Sequence, residues 1–572
     1  MSKAQPFISE SSSAQDTPRE PAVTRRQLLR TLTAGGAALV GGAALAACGG
    51  TGSTTTTTNV TFYTATWPTD AMPTQADIKK DPTKKVYADT LQKWLKQNPG
   101  VTIKHSTLNI WDTPGLTSAV TAGTAPTWYM GDILGAFGKP ATINAYLRGL
   151  AADVTSLVAK YNIDKMMTSY ALPAWKSWQI NSKYYGIPAG YGAGNGVFYR
   201  RDLLQQAGLQ DPTTSWTWND FRTYAKALTK GKTKGVALPG YAFGELIISN
   251  QLASGAGNYT NIGLVPSPNT SWHWRVDLTP KLDEYKQLTA LWRGMYFDDK
   301  SVLADSTGGG DQAAQFMRGD AAMFSANTSV LTRSPNDPDS VTQIARRLNK
   351  PLEEVVGWVA LPNGTNGAFG ATQSNLVLGC VDPHLQRNPA ALAKAFDFLV
   401  YMIIGQGAID QIIGLWNSTH DLQQVYGAVG SIPAFTNNMI TFPGIPGTVE
   451  DAWGKKMVQA VQAAAQIPFI PDSTQYLPPE KNTTPTNNAF NDAFSGMEFA
   501  QRDVTPLITN LEKTVNQQLT TLTSSASASE FTQGAKNYYA ALNTFWQKEA
   551  PNFYANEYQA WYQQKIVPAL GG

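Results

Sequence analysis

Two cysteines, Cys48 and Cys380, and four histidines, His105, His273, His384 and His420, are the only thiols and imidazoles in 572 residues. No zinc spacing, disulfide framework or C-x-x-C redox pair can be drawn from that set. Cys380 sits in the apolar run 375–381, where a buried inert thiol is expected rather than a nucleophile. Gly-x-Ser-x-Gly is absent, so there is no nucleophile elbow. Five glycines and a proline crowd the stretch 184–199, but no Gly-Lys-Ser/Thr comes after them and no helix opens, which disfavours a phosphate cradle. A bent connection between two lobes is the expectation there. What the chain has in abundance is flat amphipathic rings, 16 Trp and 23 Tyr.

Such rings need a scaffold, and the length calls for about two to four domains. Apolar residues make up 42% and charged residues 15%, which excludes a disordered chain. Net charge is +3; five basic residues (Lys3, Arg19, Arg25, Arg26, Arg30) and three acidic ones (Glu10, Asp16, Glu20) precede Cys48, leaving 40 against 39 beyond it. A near-neutral body gives no reason to expect a nucleic-acid partner. The first 47 residues read as an address. Arg25 and Arg26 stand before a weakly apolar run, 31–47, that resembles a twin-arginine export signal. That run is 17 residues long and broken by Gly35, Gly36, Gly41 and Gly42, short of the roughly 20 apolar residues of a membrane span. It ends Leu45-Ala-Ala-Cys48, which resembles a bacterial lipobox with Cys48 as the lipidated residue. Residues 48–58, rich in Gly, Ser and Thr, form the expected tether. The mature chain is therefore expected on the outer face of the cytoplasmic membrane, held by an N-terminal lipid.

From there strands and helices alternate. Residues 59–65 and 101–105 read as strands, 86–98 and 116–122 as helices, and 126–130 as a third strand. That order predicts a parallel α/β sheet. Residues 201–208 read as a short helix closed by its glycine, and another opens at 218–221 with Asn219 or Asp220 as the expected cap.

Several segments then carry a resemblance. Tyr185-Gly-Ile-Pro188, Val197-Phe-Tyr-Arg-Arg-Asp-Leu-Leu204, Ala207-Gly-Leu209 and Ser215-Trp-Thr-Trp-Asn-Asp-Phe221 resemble the central segment of the extracellular solute-binding proteins of ATP-driven carbohydrate importers. Phe316-Met-Arg-Gly-Asp-Ala-Ala-Met323, Gly357-Trp-Val-Ala-Leu-Pro362, the helix from Ala390 and Gly430-Ser-Ile-Pro433 come next in the family's order. The resemblance runs from about 59 to about 541. Departures are Thr127 for a frequent Asp, Tyr199-Arg200 for Tyr-Asn, and Phe324-Ser-Ala-Asn-Thr-Ser329 where many members carry a sugar-stacking Trp. The resemblance implies an α/β, two-lobed periplasmic-binding-protein-like fold (type II) with the ligand cleft between lobes. It implies lobe I from 59–189 plus 370–447, lobe II from 190–369 plus 448–541, and an aromatic C-terminal extension, 542–572, expected to pack on the body. It implies a non-enzymatic binding component that hands a carbohydrate to ABC permease subunits, monomeric and without metal or cofactor.

A sugar presents apolar C–H faces and a rim of hydroxyls, so its site needs aromatic plates and carboxylate or amide partners. Loops after strands are where α/β sheets bind ligands. With the family positions these give the ligand-binding candidates Trp67, Asp70, Asp132, Tyr191, Tyr241, Glu245, Asn327, Gln373 and Trp416. Tyr191 and Gln373 belong to crossing-like segments, 189–196 and 363–373. Trp272 and Trp274 either face the cleft or pack. The abundance of rings favours an oligosaccharide. Two alternatives stay open: a secreted carbohydrate-active hydrolase, which needs two carboxyls across the scissile bond, and a surface adhesin that never closes on its ligand.

Overall fold

A computed structural model describes residues 59–69, 71–135, 139–169, 171–192, 195–239, 242–248, 263–303, 312–332, 340–369, 375–429, 442, 444–471, 473–478 and 488–571. Arg25, Arg26, Cys48, Asp70, Tyr241 and Gln373 lie outside the described residues. The described strands are β1 (Val60–Thr64), β2 (Val101–His105), β3 (Trp128–Met130), β4 (Ile187–Gly192), β5 (Gly196–Arg200), β6 (Lys234–Ala237), β7 (Leu264–Pro266), β8 (Trp274–Val276), β9 (Ala321–Ala326), β10 (Val356–Ala360) and β11 (Asn375–Val381).

β1 and β2 pair in parallel, Val60 opposite Val101. Thr127 stitches β1 to the start of β3: its N–H donates to Tyr63 O at 2.7 Å and its Oγ1 accepts from Tyr63 N at 2.9 Å. β11 then lies antiparallel to both β3 and β4. The strand–helix alternation predicts a parallel sheet, which holds for the β1–β2 pair, while β11 departs from it. β11 arrives from far down the chain and runs opposite to β3 and β4, so the three-stranded β3-β11-β4 sheet is antiparallel beside the parallel β1–β2 pair. Beneath it a first core gathers residues 62–187 and 376–404. At its centre Trp128 is fully buried, edge-on to Phe62 at 5.3 Å and 4.6 Å from Phe398, with its Nε1 donating to Ala395 O at 2.9 Å. Cys380 is buried in the same core, and burial pushes its thiol up to about 12, so it is the inert thiol expected.

The stretch Pro389–Thr419 has the length and apolar composition of a membrane span. It is two helices, Pro389–Ile403 and Gln406–Thr419. The first buries Phe396, Phe398 and Leu399 in the first core. Its Asp397 accepts hydrogen bonds from Trp94 Nε1 (3.1 Å) and Tyr161 Oη (2.6 Å), partners that suit packing against protein.

The second sheet runs β10-β5-β9-β6, antiparallel except for the β9–β6 pair. Two cores cover its faces. One joins Val197, Tyr199, Val236 and Met323 to the helices Trp218–Leu228, Leu282–Arg293 and Val504–Leu519. The other joins Phe198, Phe324 and Trp358 to Trp453 and Val461. Ile412, Leu415, Val425 and Tyr426, inside the 370–447 segment assigned above to lobe I, pack in this last core. The helix Trp218–Leu228 starts one residue earlier than its expected cap. Thr217 is the cap and accepts from Asp220 N at 3.2 Å, while Asp220 reaches back to Thr217 N at 2.8 Å. A hydroxyl and a carboxylate thus share the helix end as a capping box, which corrects the expectation of Asn219 or Asp220.

A fourth core is C-terminal. The helix Ala528–Glu549 runs through the 541/542 boundary without a break, and its Phe531, Tyr539 and Trp546 share a core with Phe553, Tyr558 and Ile566. Trp546, Phe553 and Tyr558 are buried, as the packing expectation for this segment requires. The hairpin β7–β8 docks on the same helix: Trp274 meets Phe531 at 5.0 Å, and Trp272 is buried in the second core. These two tryptophans pack.

Glu498, at the end of the helix Asn488–Glu498, is 5% exposed, and burial pushes its carboxyl from 4.5 up to about 8. Between those values the folded chain holds a proton that the unfolded chain has lost. Stability therefore falls as pH rises through about 4.5 to about 8. Glu498→Gln should remove that slope, so in denaturant titrations its advantage over the parent is larger at pH 8 than at pH 5. Equal advantages at both pH values would contradict the assignment.

Candidate ligand-binding site

The register of the first sheet sets where a site can form. Gly379 of β11 pairs with Met130, the last residue of β3, on one side and with Ile187, the first residue of β4, on the other. β4 and β11 therefore run on together past the end of β3. The overshoot, 188–192, is roughly 17 Å at about 3.4 Å per residue. At its far end three residues lead to Gly196, which pairs with Ala326 and Ala360, the last residues of β9 and β10. The β4–β11 ribbon is thus a floor, with the C-terminal ends of β1 and β3 at one side and of β9 and β10 at the other.

Trp67 and Asp132 meet at the first side. Trp67 comes shortly after β1, half-buried, and its ring lies on Gly379: a Cβ there would stand 2.4 Å from Trp67 Cη2. The missing side chain is what lets the indole sit on the sheet. The Trp67–Pro68 bond is cis. Asp132 is the second residue of the turn Gly131–Gly135, directly after β3. Burial, the largest effect, raises its pKa above the ordinary carboxylate value against the lowering influence of the backbone N–H groups of Asp132 and Ile133. Its Oδ1 is buried without a partner among the described residues. An orphaned buried acceptor is costly unless something donates to it, and a ligand hydroxyl would. Below the turn, a Cβ on Gly131 would fall 1.9 Å from Tyr146 Oη, so the backbone carrying Asp132 rests directly on that phenol.

Tyr191 lies on the ribbon, opposite Leu376. Asn327 comes directly after β9 at the opposite wall and is half-buried. Glu245 is in the helical turn Ala242–Ile248, after β6. Trp416 does not join them: it sits in the helix Gln406–Thr419, its ring 5.3 Å from His420 and packed against the third core. One aromatic was missed. Trp111, in the loop after β2, is 52% exposed, and two residues on Thr113 Oγ1 donates to Ile133 O at 2.7 Å, tying that loop to the Asp132 turn. The strand-end rule used for Trp67 would have found it.

Two α/β lobes, each ending its strands on a shared ribbon, define the periplasmic-binding-protein-like fold with its cleft between lobes. The model of the bacterial extracellular solute-binding protein family matches residues 75–403, more than half of the chain. The chain belongs to that family. No curated protein matches the sequence. Among solved structures, an ABC substrate-binding protein from Listeria monocytogenes in complex with cycloalternan is 18% identical, with a TM-score of 0.51 over 81% of this chain and 99% of that one. A chitin oligosaccharide binding protein is 16% identical, with a TM-score of 0.51 over 81% and 99%. An ABC transporter solute-binding protein from Agrobacterium vitis S4, with bound D-mannitol, is 18% identical, with a TM-score of 0.52 over 81% and 98%. At these identities the likeness establishes the fold, and the family is one of binding proteins rather than enzymes.

Proposed function

We propose that this chain captures a carbohydrate between its lobes and delivers it to the permease of an ABC importer. The observation that carries the reading is the pairing of a ring plate with an unsatisfied acceptor. Trp67 lies on Gly379, and Asp132 Oδ1, buried and unpartnered among the described residues, stands at the end of the adjoining strand. A sugar ring stacked on the indole would offer hydroxyl donors to that oxygen. Tyr191 on the ribbon and Asn327 on the far wall, with Asp70, Tyr241, Glu245 and Gln373, complete the proposed lining, and Trp111 joins it. The neighbours of known structure that hold cycloalternan or D-mannitol, and the one named as a chitin oligosaccharide binding protein, support a polyhydroxylated ligand, and the number of rings favours an oligosaccharide. Arg25 and Arg26, the apolar run and Cys48 support export and a lipid anchor on the outer face of the cytoplasmic membrane, in keeping with an extracellular family. A monomer is proposed on the family pattern.

The test is a thermal-shift screen of the purified chain against mono-, di- and oligosaccharides, polyols and amino acids, with each hit recovered and analysed. A ligand at 100 times its Kd should stabilise the fold by about 2.7 kcal/mol. A saccharide that stabilises and returns intact supports the reading. One that returns cleaved transfers the case to the hydrolase, and stabilisation by amino acids alone removes the ligand class.

A further inference from the structure

Chain segments pass between the first core and the second-lobe cores at 188–196, 362–375 and 405–411. A fourth segment, 466–471, touches both sides without crossing for good: Phe469 packs against the first core, with Lys139 Nζ 5.9 Å from its ring centroid, while Ile467 packs against the third core. The C-terminal core reaches two of these segments. Ala368 and Phe369, just before the chain enters β11, are buried in it, with Phe369 5.1 Å from Trp546 and 5.9 Å from Phe545. Asn366 Nδ2 donates to Glu557 Oε1 at 2.8 Å. Ile470, next to the residue that touches lobe I, is also buried in the C-terminal core.

The hairpin β7–β8 links these helices to the second lobe: it is held by Asn516 on the second-core helix Val504–Leu519, by Ser524 just ahead of the module, and by Lys565 of the module itself. Asn516 pairs with both the N–H and the C=O of Val276, each at 2.8 Å. Ser524 N donates to Ser271 O at 2.7 Å, and Lys565 pairs with Asp277 at 3.0 Å. The hairpin so held carries Val265 into the C-terminal core. The module is therefore joined to lobe II through this hairpin, and it also packs on the loop segments that lie between lobe II and lobe I.

We propose that the C-terminal helical module, 528–570, is a clamp on the inter-lobe segments 366–369 and 467–470 and restricts the range of lobe positions. This rests on the lobes moving against each other, as the proposed capture requires. A rotation of lobe I would pull on Phe369 and Phe469, and the neighbours of both residues are seated in packed cores that resist gradual deformation. The clamp would thereby set how much of the ligand-free protein is already near the closed state, and so the apparent affinity.

The experiment needs no ligand. Spin labels go on exposed positions of each lobe, Lys96→Cys and Lys513→Cys, in the full chain with Cys48→Ser; Cys380 is buried and resists labelling. Pulsed electron resonance then reads the inter-lobe distance distribution. The clamp predicts a narrow peak in this parent, its loss in Trp546→Ala, and its retention in Lys548→Ala, a change on the exposed face of the same helix. A folded Trp546→Ala with the parent's peak overturns the proposal. Should Trp546→Ala fail to fold, Glu557→Ala decides by the same criterion, since it removes only the Asn366 contact and its own packing. Failure of every saccharide to bind would sink the carbohydrate reading and leave this comparison standing.

Discussion

Asp132→Asn should weaken saccharide binding roughly 10- to 150-fold while leaving the ligand-free fold at least as stable as the parent. The two halves of that result have one cause. Among the described residues Asp132 Oδ1 is buried with nothing to accept from, and burial already raises the carboxyl's pKa, so the ionised group is held at a cost in the empty protein. An amide at the same place removes the buried charge and keeps a similar shape. In the complex, the charge-assisted hydrogen bond it would have made to a ligand hydroxyl is worth about 1.5–3 kcal/mol, which is the loss expected in Kd. Isothermal titration with the stabilising saccharide, together with melting of the ligand-free variant, checks both parts. A residue with a purely structural task would give the reverse, a less stable fold with unchanged affinity.

The second large effect is structural. Gly235 on β6 faces the helix Trp218–Leu228 so closely that a Cβ would stand 1.9 Å from Ala225 O and 2.6 Å from Ala225 Cα. Both are backbone atoms in the helix, and neither can swing aside as a side-chain tip could. Gly235→Ala must push the helix off the sheet, along with Phe221 and Leu228, which it buries in the second core. Overpacking of this kind costs about 3 kcal/mol at the upper end of its usual range. Denaturant titration should show a loss of that order with the fold intact at low temperature. A variant as stable as the parent would mean that β6 and the helix do not approach each other this closely.

How much of this is legible in the sequence depends on whether the cause is local. Residues 101–105 read as a strand and are β2, residue for residue, because β-branched alternation between two breakers is a local signal. The helix around Trp94 is readable from its apolar spacing and is one turn longer at its start, Thr83–Gln97. The direction of β11 is not legible, since a strand's orientation is decided by its partners, and β3 and β4 lie far away in the chain. For the same reason the sequence cannot show that Phe369 is buried against Trp546. At the proposed site, Trp67 and Asp132 are candidates because each stands just past the C-terminal end of a strand. Trp416 has no such position: only its nearness to a turn suggests it, and it packs on a helix against His420. A tryptophan between two glycine-marked turns looks the same whether it faces a core or a cleft.

The most direct test of two lobes closing on a solute is small-angle scattering of the purified chain with and without the saccharide that raises its melting temperature. Closure predicts a smaller radius of gyration with the sugar bound, with no change for a sugar that does not stabilise. Binding at the same affinity with an unchanged radius would contradict it, and would describe a protein that holds carbohydrate on a rigid surface.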